Sequence, residues 1–319
     1  MAIITVLDRQ IDVNIREEVE EFEWEGAKWS DEKLIARSPF RDDRTPSFYI
    51  TFEGEFAGVF GDSAAESDWY KSGTLPKLLA YLRNETYEEA CDYLLSKYDY
   101  EYTSEEISLI TPDPLDQNPM FKVVDLGVYA DRPLDTDYLP SRGIHPKVIE
   151  LQGVFDNGNS IGIPWRDTNG NVRAIKYRSK KSKEFWYYGE GTPVGKLVYG
   201  LDTVIERGIS RVAICEAEID AMTWQSAGIY AIAIGGARIN ERQVDQIIAS
   251  GVDEIIIAGD NDVQGRKFNE KIQKFFTGIV DLWETDYSSY GTIKDVNELG
   301  VDKLRKIPIK KIKSLEVKL

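Results

Sequence analysis

Apolar residues change their period several times along the 319 residues. Around TPSFYITF and EFAGVF, between Arg37 and Phe60, apolar and polar positions come in short runs that predict strands joined by turns. Over 75–83 and 87–98 they recur every three or four residues and predict two helices. Residues 101–119, EYTSEEISLITPDPLDQNP, hold five acids, no base and three prolines, which predicts an acidic linker. Beyond it DYLPSRGIHPKVIEL reads as short helices, and IGIPWRD and VRAIKYRS read as the arms of a hairpin around TNGN. From Arg211 the apolar runs RVAICEAE, YAIAIGG, EIIIAGD and GIVDLWE alternate with the helical stretches IDAMTWQSAG, NERQVDQIIASG and VQGRKFNEKIQKFF. That alternation predicts an α/β block, a mostly parallel sheet with helices on both faces.

Composition narrows the chemistry. No run of about 18 apolar residues occurs, and the start MAIITVLDRQ lacks the charged-then-apolar order of a secretory signal. The expectation is therefore no membrane association and a cytoplasmic location. The two cysteines, Cys91 and Cys215, make neither a disulfide framework nor a cysteine zinc site, and the single histidine, His145, precedes Pro146 in a turn and reads as structural. Any metal must then be a hard cation held by carboxylates. The net charge of −16 opposes sequence-blind binding to duplex DNA but leaves room for a local basic groove.

Ligands of open α/β sheets bind at the carboxyl ends of the strands. Glu216 closes the first apolar run of the block, and Asp260 and Asp262, in AGDNDVQGRK, close the third. Asp-x-Asp is either a hydrophilic turn or half of a metal site. If the two strands are neighbours, three carboxylates converge and a divalent cation is the natural compensation. TIKDVNELG offers Asp295 and Glu298 as further acids, and Gly265-Arg266-Lys267 opens the following helix. The stretch NVRAIKYRSKKSK carries six bases and no acid. Strand alternation puts Lys176 and Arg178 on one face and Arg173 on the other. This run is either a solvated face or a phosphate contact, joined in the second case by Arg142 and Arg166. Trp186, Tyr187 and Tyr188 either stack bases or pack inside.

CEAEIDAM at 215–222, DNDVQGRK at 260–267 and KDVNE at 294–298 resemble the Toprim fold shared by topoisomerases and primases. YLPSRGI at 138–144, IPWRDTNGNV at 163–172, KYRSKKSKEFW at 176–186 and LVYGL at 197–201 extend the likeness to bacterial and phage DNA primases of the DnaG type, over residues 130–300. The resemblance implies a Rossmann-like, mostly parallel Toprim sheet in 206–319 with a C-terminal extension. It implies a mixed α+β part of the polymerase core before it, in 120–205. It also implies metal-binding and catalytic roles for Glu216, Asp260 and Asp262, with Asp295 as an additional metal acid; Glu218 matches a less regularly acidic position. Arg142, Arg166, Lys176, Arg178, Arg266 and Lys267 are the implied nucleotide or nucleic-acid contacts. The implied cofactor is Mg²⁺ or Mn²⁺, bridging a triphosphate and the attacking primer hydroxyl.

The implied activity is template-directed synthesis of short RNA primers on single-stranded DNA from nucleoside triphosphates. No Walker loop occurs, so a separate replicative helicase is the expected partner. A Toprim nuclease and a non-catalytic, primase-derived regulatory or DNA-binding protein remain as alternatives. A topoisomerase would need a further domain bearing a catalytic tyrosine, of which the sequence gives no sign. SPFRDDRTPSF at 38–48 and VFGD at 59–62 resemble the zinc-binding domain of bacterial primases, but the ligand positions hold Ser38, Arg41, Val59 and Asp62. These build no tetrahedral zinc site, and no zinc is expected. Residues 1–100 are thus expected to form a small zinc-ribbon-like domain without zinc, packed around Phe48, Phe60 and Trp69.

Overall fold

The computed structural model describes residues 2–65, 70–99, 123–189, 191–236, 239–290, 293 and 295–312. The expected linker at 101–119 and Trp69 lie outside them. The chain divides into two compact units, residues 1–119 with 181–185, and residues 120–180 with 186–319.

The first unit opens with a hairpin that the sequence reading did not anticipate, β1 (Ala2–Val6) paired antiparallel with β2 (Arg9–Val13). Helix α1 (Ile15–Glu20) follows. A five-stranded antiparallel sheet then runs in chain order through β3 (Lys28–Trp29), β4 (Lys33–Ala36), β5 (Phe48–Thr51), β6 (Val59–Asp62) and β7 (Ser72–Thr74). Alternate residues Leu34, Ala36, Phe48, Ile50 and Phe60 face one core. Helices α2 (Leu75–Arg83) and α3 (Tyr87–Tyr98) cover it with Leu75, Leu78, Leu79, Leu94 and Leu95. The sequence places both helices where they stand, and a Thr86–Glu89 capping box starts the second. Phe48 and Phe60 stack with centroids 5.8 Å apart, so expected aromatic packing at this core is present.

The first α-helices described in the second unit are α4 (Tyr138–Ser141) and α5 (Pro146–Gln152), the latter capped by the His145 ring, whose Nδ1 accepts from the Lys147 N–H at 3.2 Å. An antiparallel sheet follows, in the order β11 (Phe185–Tyr187), β10 (Val172–Ser179), β9 (Ser160–Arg166), β8 (Phe155–Asp156). β9 and β10 form the expected hairpin, with a bulge between Val172 and Ala174. After α6 (Leu201–Arg207) come β12 (Arg211–Cys215), α7 (Glu218–Ala227), β13 (Ala231–Ala233), α8 (Glu241–Ala249), β14 (Glu254–Ile257), α9 (Val263–Phe276) and β15 (Asp281–Thr285). The short α10 (Val296–Leu299) and α11 (Val301–Leu304) lead to β16 (Ile309–Lys311). The sheet order is β13-β12-β14-β15-β16, parallel except for β16.

Along β12 the side chains alternate between two cores, which is why this strand reads as a continuous apolar run. Ala213 and Cys215 pack with α7 through Met222 and Trp224, on the side that also receives Trp165 and Ile163 of β9. Val212 and Ile214 pack with Leu201, Val204, Ile247, Phe268 and Ile272 of α6, α8 and α9. Helices on both faces are therefore present as predicted. The same arrangement aims the carboxyl ends of β12 and β14 at one edge.

Candidate active site

Strands β12 and β14 are hydrogen-bonded neighbours, with Ile214 opposite Ile257. The chain leaves both at the same level, so Glu216 and the Asp260–Asp262 loop meet: the Asp260 N–H lies 3.5 Å from Glu216 Oε1. The Glu216 carbonyl accepts from the Gly235 N–H at 3.0 Å, which fixes this turn against the end of β13. Asp262 is the N-cap of α9, its Oδ1 accepting from the Gly265 N–H at 2.8 Å. Gly265 is required here because a Cβ at this position would run into the Asp260 backbone.

Asp295 arrives from the loop after β15. It is the N-cap of α10, accepting from the Glu298 N–H at 2.7 Å, while the Asn261 amide reaches the Ile293 carbonyl at 2.9 Å and ties the two loops together. Glu298 itself is exposed. Asp220, in the first turn of α7, completes the group and was not singled out by the sequence reading. Its carboxyl is pushed well above the usual range by burial and then by the facing charges of Asp260, Asp295 and Glu216; the Arg142 guanidinium offsets only part. The available signal was its spacing, four residues after Glu216.

The basic residues fall into distinct environments. Arg142 and Arg178 converge on one phenol: Arg142 NH1 donates to the Tyr138 hydroxyl at 3.0 Å and Arg178 Nε at 3.4 Å. Arg142 Nε also donates to Asn297 Oδ1 at 2.9 Å, which holds it beside the helix that begins at Asp295. Burial raises the Tyr138 hydroxyl, yet the two guanidiniums outweigh it and leave the group below its usual range. Arg266 and Lys267 are exposed near the start of α9, four and five residues after Asp262.

Other parts of the basic run are closed by acids inside the unit. Arg173 Nε lies 2.7 Å from Asp167, and Lys180 Nζ lies 3.0 Å from Asp156 and 3.6 Å from Asp135. Lys176 shares a strand face with Arg178 as expected, but that face turns inward at Lys176. Its Nζ meets Glu218 Oε2 at 3.1 Å and the residue is 2% exposed, whereas the expectation has it pointing with Arg178 toward phosphates. Arg166 NH1 is 4.0 Å from Asp202 at the start of α6. Trp186 is 37% exposed and stacks on Tyr177 at 5.7 Å, so its outer face is open while its inner face packs.

In the first unit, three of the four positions at which zinc ligands would stand join one polar clasp. Arg41 NH2 lies 2.9 Å from Asp43 Oδ2, 2.7 Å from Ser47 Oγ and 3.4 Å from Asp62 Oδ1. The Ser47 hydroxyl lies 2.6 Å from Asp43 and 2.8 Å from Asp62, and Ser38 contributes its N–H to Asp43 at 3.3 Å. Burial raises Asp43, but the Ser47 hydroxyl, the Thr45 and Ser38 N–H groups and Arg41 together bring it down to about 2. Asp62 is likewise lowered, against burial, by the Ser38 and Ser47 hydroxyls, the Ala64 N–H and Arg41.

Residues 213–300 match the Toprim-like family, a span that includes every acid of the cluster. Solved structures similar to the chain include the zinc-binding and RNA polymerase domains of the Aquifex aeolicus primase, at 17% identity over 93% of this chain and 84% of that one, with a TM-score of 0.46. Another is the primase fragment of the bacteriophage T7 primase-helicase protein, at 20% identity over 67% of this chain and 86% of that one, TM-score 0.45. No curated protein matches the sequence. Identities this low leave the function to be read from the residues around the Toprim-like edge.

Proposed function

We propose that the protein is a DNA primase that joins ribonucleotides on a single-stranded DNA template, with Mg²⁺ or Mn²⁺ as cofactor. The observation that carries this reading is the acidic edge, where Glu216 and the Asp260–Asp262 loop meet at the carboxyl ends of the neighbouring strands β12 and β14, with Asp220 and Asp295 close enough to add their charges. Among the described residues no three His, Cys, Asp or Glu side chains close on one point as a ready-made cage. Mg²⁺ keeps several waters and takes one or two carboxylates together with substrate phosphates. The donors are all carboxylate oxygens, which select a hard cation over zinc.

When bound, such an ion would polarise the phosphate and stabilise charge on the entering and leaving oxygens. Glu216, Asp260 and Asp262 would hold it, with Asp220 and Asp295 completing the negative wall. Asp262 and Asp295 are held in place by capping their helices. Arg142 and Arg178, spaced by the Tyr138 oxygen, form a cationic pair beside that wall and would bind the triphosphate; Arg266 and Lys267 would contact the nucleic-acid backbone. The outer face of Trp186 would stack a template base.

A separate helicase is the expected partner in this reading. Labelled ribonucleotide incorporation on varied single-stranded templates, with Mg²⁺ or Mn²⁺, tests it. Short template-dependent products are the expected result. Degradation of the template instead would make the same acids those of a nuclease, and neither outcome would leave a non-catalytic DNA-binding protein.

A further inference from the structure

Lys176 and Glu218 are each 3% exposed at the side chain, and their charged ends are 3.1 Å apart. The second Glu218 oxygen accepts from Trp165 Nε1 at 3.0 Å, and Trp165 is itself fully buried. An ion pair taken this far from water is a poor source of stability, because apolar residues of similar volume commonly do as well or better. Its location gives it another use. Glu218 is the first residue of α7, two positions after Glu216 and two before Asp220.

The three helices that begin at the acidic edge start differently. Asp262 and Asp295 cap α9 and α10 with their own side chains, whereas α7 has Ala217 at its N-cap and no side-chain cap. A helix start without a cap is fixed by something else or frays. Here the first-turn carboxylate is clamped from two sides, by a cation on β10 and an indole N–H on β9. We propose that Lys176 is a positioning residue: through Glu218, and with Trp165, it fixes the start of α7 and thereby the separation of the Glu216 and Asp220 carboxylates. This rests on the metal-site reading above and replaces a phosphate role for Lys176.

The test is Mn²⁺ binding by the full chain, followed by the electron paramagnetic resonance of the free ion in the absence of nucleotide and DNA, with thermal melting in parallel. Lys176→Met should lower the melting temperature and weaken Mn²⁺ binding about tenfold or more, as loss of a group that orients metal ligands commonly does. Lys176→Met with Glu218→Leu should recover the melting temperature, since no buried charge is left alone, while Mn²⁺ binding stays weak. Wild-type affinity in the double variant would reduce the pair to packing, and unchanged affinity in Lys176→Met would return Lys176 to other duties; either overturns the proposal. Should the double variant fail to fold, Glu218→Gln decides alone: it retains an acceptor for Trp165, weaker binding supports the clamp, and unchanged binding rejects it. Wild-type protein that binds no Mn²⁺, or binds it equally well as Glu216→Gln, rejects the metal site itself, a result distinct from failure of the clamp.

Discussion

Each unit holds a cluster of carboxylates, and the two differ in where their counter-charge comes from. In the first unit Asp43 and Asp62 share the Arg41 guanidinium and several hydrogen bonds, and both carboxyls titrate low. In the second the acids at the ends of β12 and β14 and at the starts of α7 and α10 face one another, and the Asp220 carboxyl titrates high. A cluster with its cation inside the fold is finished structure. One whose members repel is where the proposed reading puts a cation from solution. Sequence charge density does not separate the cases: the six-base run from Asn171 to Lys183 looks the most available of all, yet Arg173, Lys176 and Lys180 are closed by Asp167, Glu218, Asp135 and Asp156.

The comparison breaks most readily at Asp260. Asp260→Asn should cut ribonucleotide incorporation about a thousandfold, the order lost when a charge-stabilising group of a reaction centre is removed, with melting nearly unchanged. Near-wild-type incorporation would make the acidic edge as structural as the clasp. Next is Arg41→Met, which leaves the fully buried Asp62 without its cation and should destabilise the first unit by about 3 kcal/mol in denaturant unfolding. It should leave Mn²⁺ binding untouched, and elemental analysis of the parent protein should find no stoichiometric zinc. Since Asp43 titrates at about 2 in the fold and near 4 when unfolded, its contribution is complete above about pH 4 and is lost as pH falls toward 2. A melting curve of the first unit that is flat over that window would remove the clasp from the comparison.

Smaller effects sharpen it. Mg²⁺ at about a hundred times its dissociation constant should stabilise the wild-type chain by roughly 2.7 kcal/mol, and Asp220→Asn should shrink that increment; an equal increment in both would place Asp220 outside the cluster. Arg178→Ala should weaken single-stranded DNA or triphosphate binding several-fold and lower the salt slope by about one, whereas an unchanged slope would class Arg178 with the internally paired bases. Trp186→Ala should cost about 1 kcal/mol of single-stranded DNA binding with little change in melting, and a clear drop in melting instead would mark the Tyr177 stack as core.

Much of the architecture is legible in the sequence because its signals are local. The periods over 75–83, 87–98 and 211–285 correspond to helices and strands at the expected places, since both faces of β12 and β14 are apolar and α8 and α9 carry one apolar stripe each. The hairpin Ala2–Val13 escaped notice because its strands are only five residues long and no Asn-Gly or Asp-Gly turn marks them. At the candidate site, acids at strand ends could be picked out by position alone. Asp220 offers only its spacing from Glu216; what singles it out, the carboxylates near it, is visible only in the fold. For Lys176, alternation tells that two bases share a face, not that a carboxylate from α7 lies beside one of them.

Arg41 and its partners contain no sulfur, so the clasp has no redox chemistry. A thiolate-bound metal can be lost to oxidants or competing chelators; a guanidinium between two aspartates offers neither an electron pair to oxidise nor an ion to extract. The two cysteines of the chain do not reintroduce the weakness, for both are buried, and burial pushes the Cys91 thiol up to about 11. The clasp is held by a guanidinium, hydroxyls and carboxylates, so its strength follows acidity rather than the redox state of a thiol.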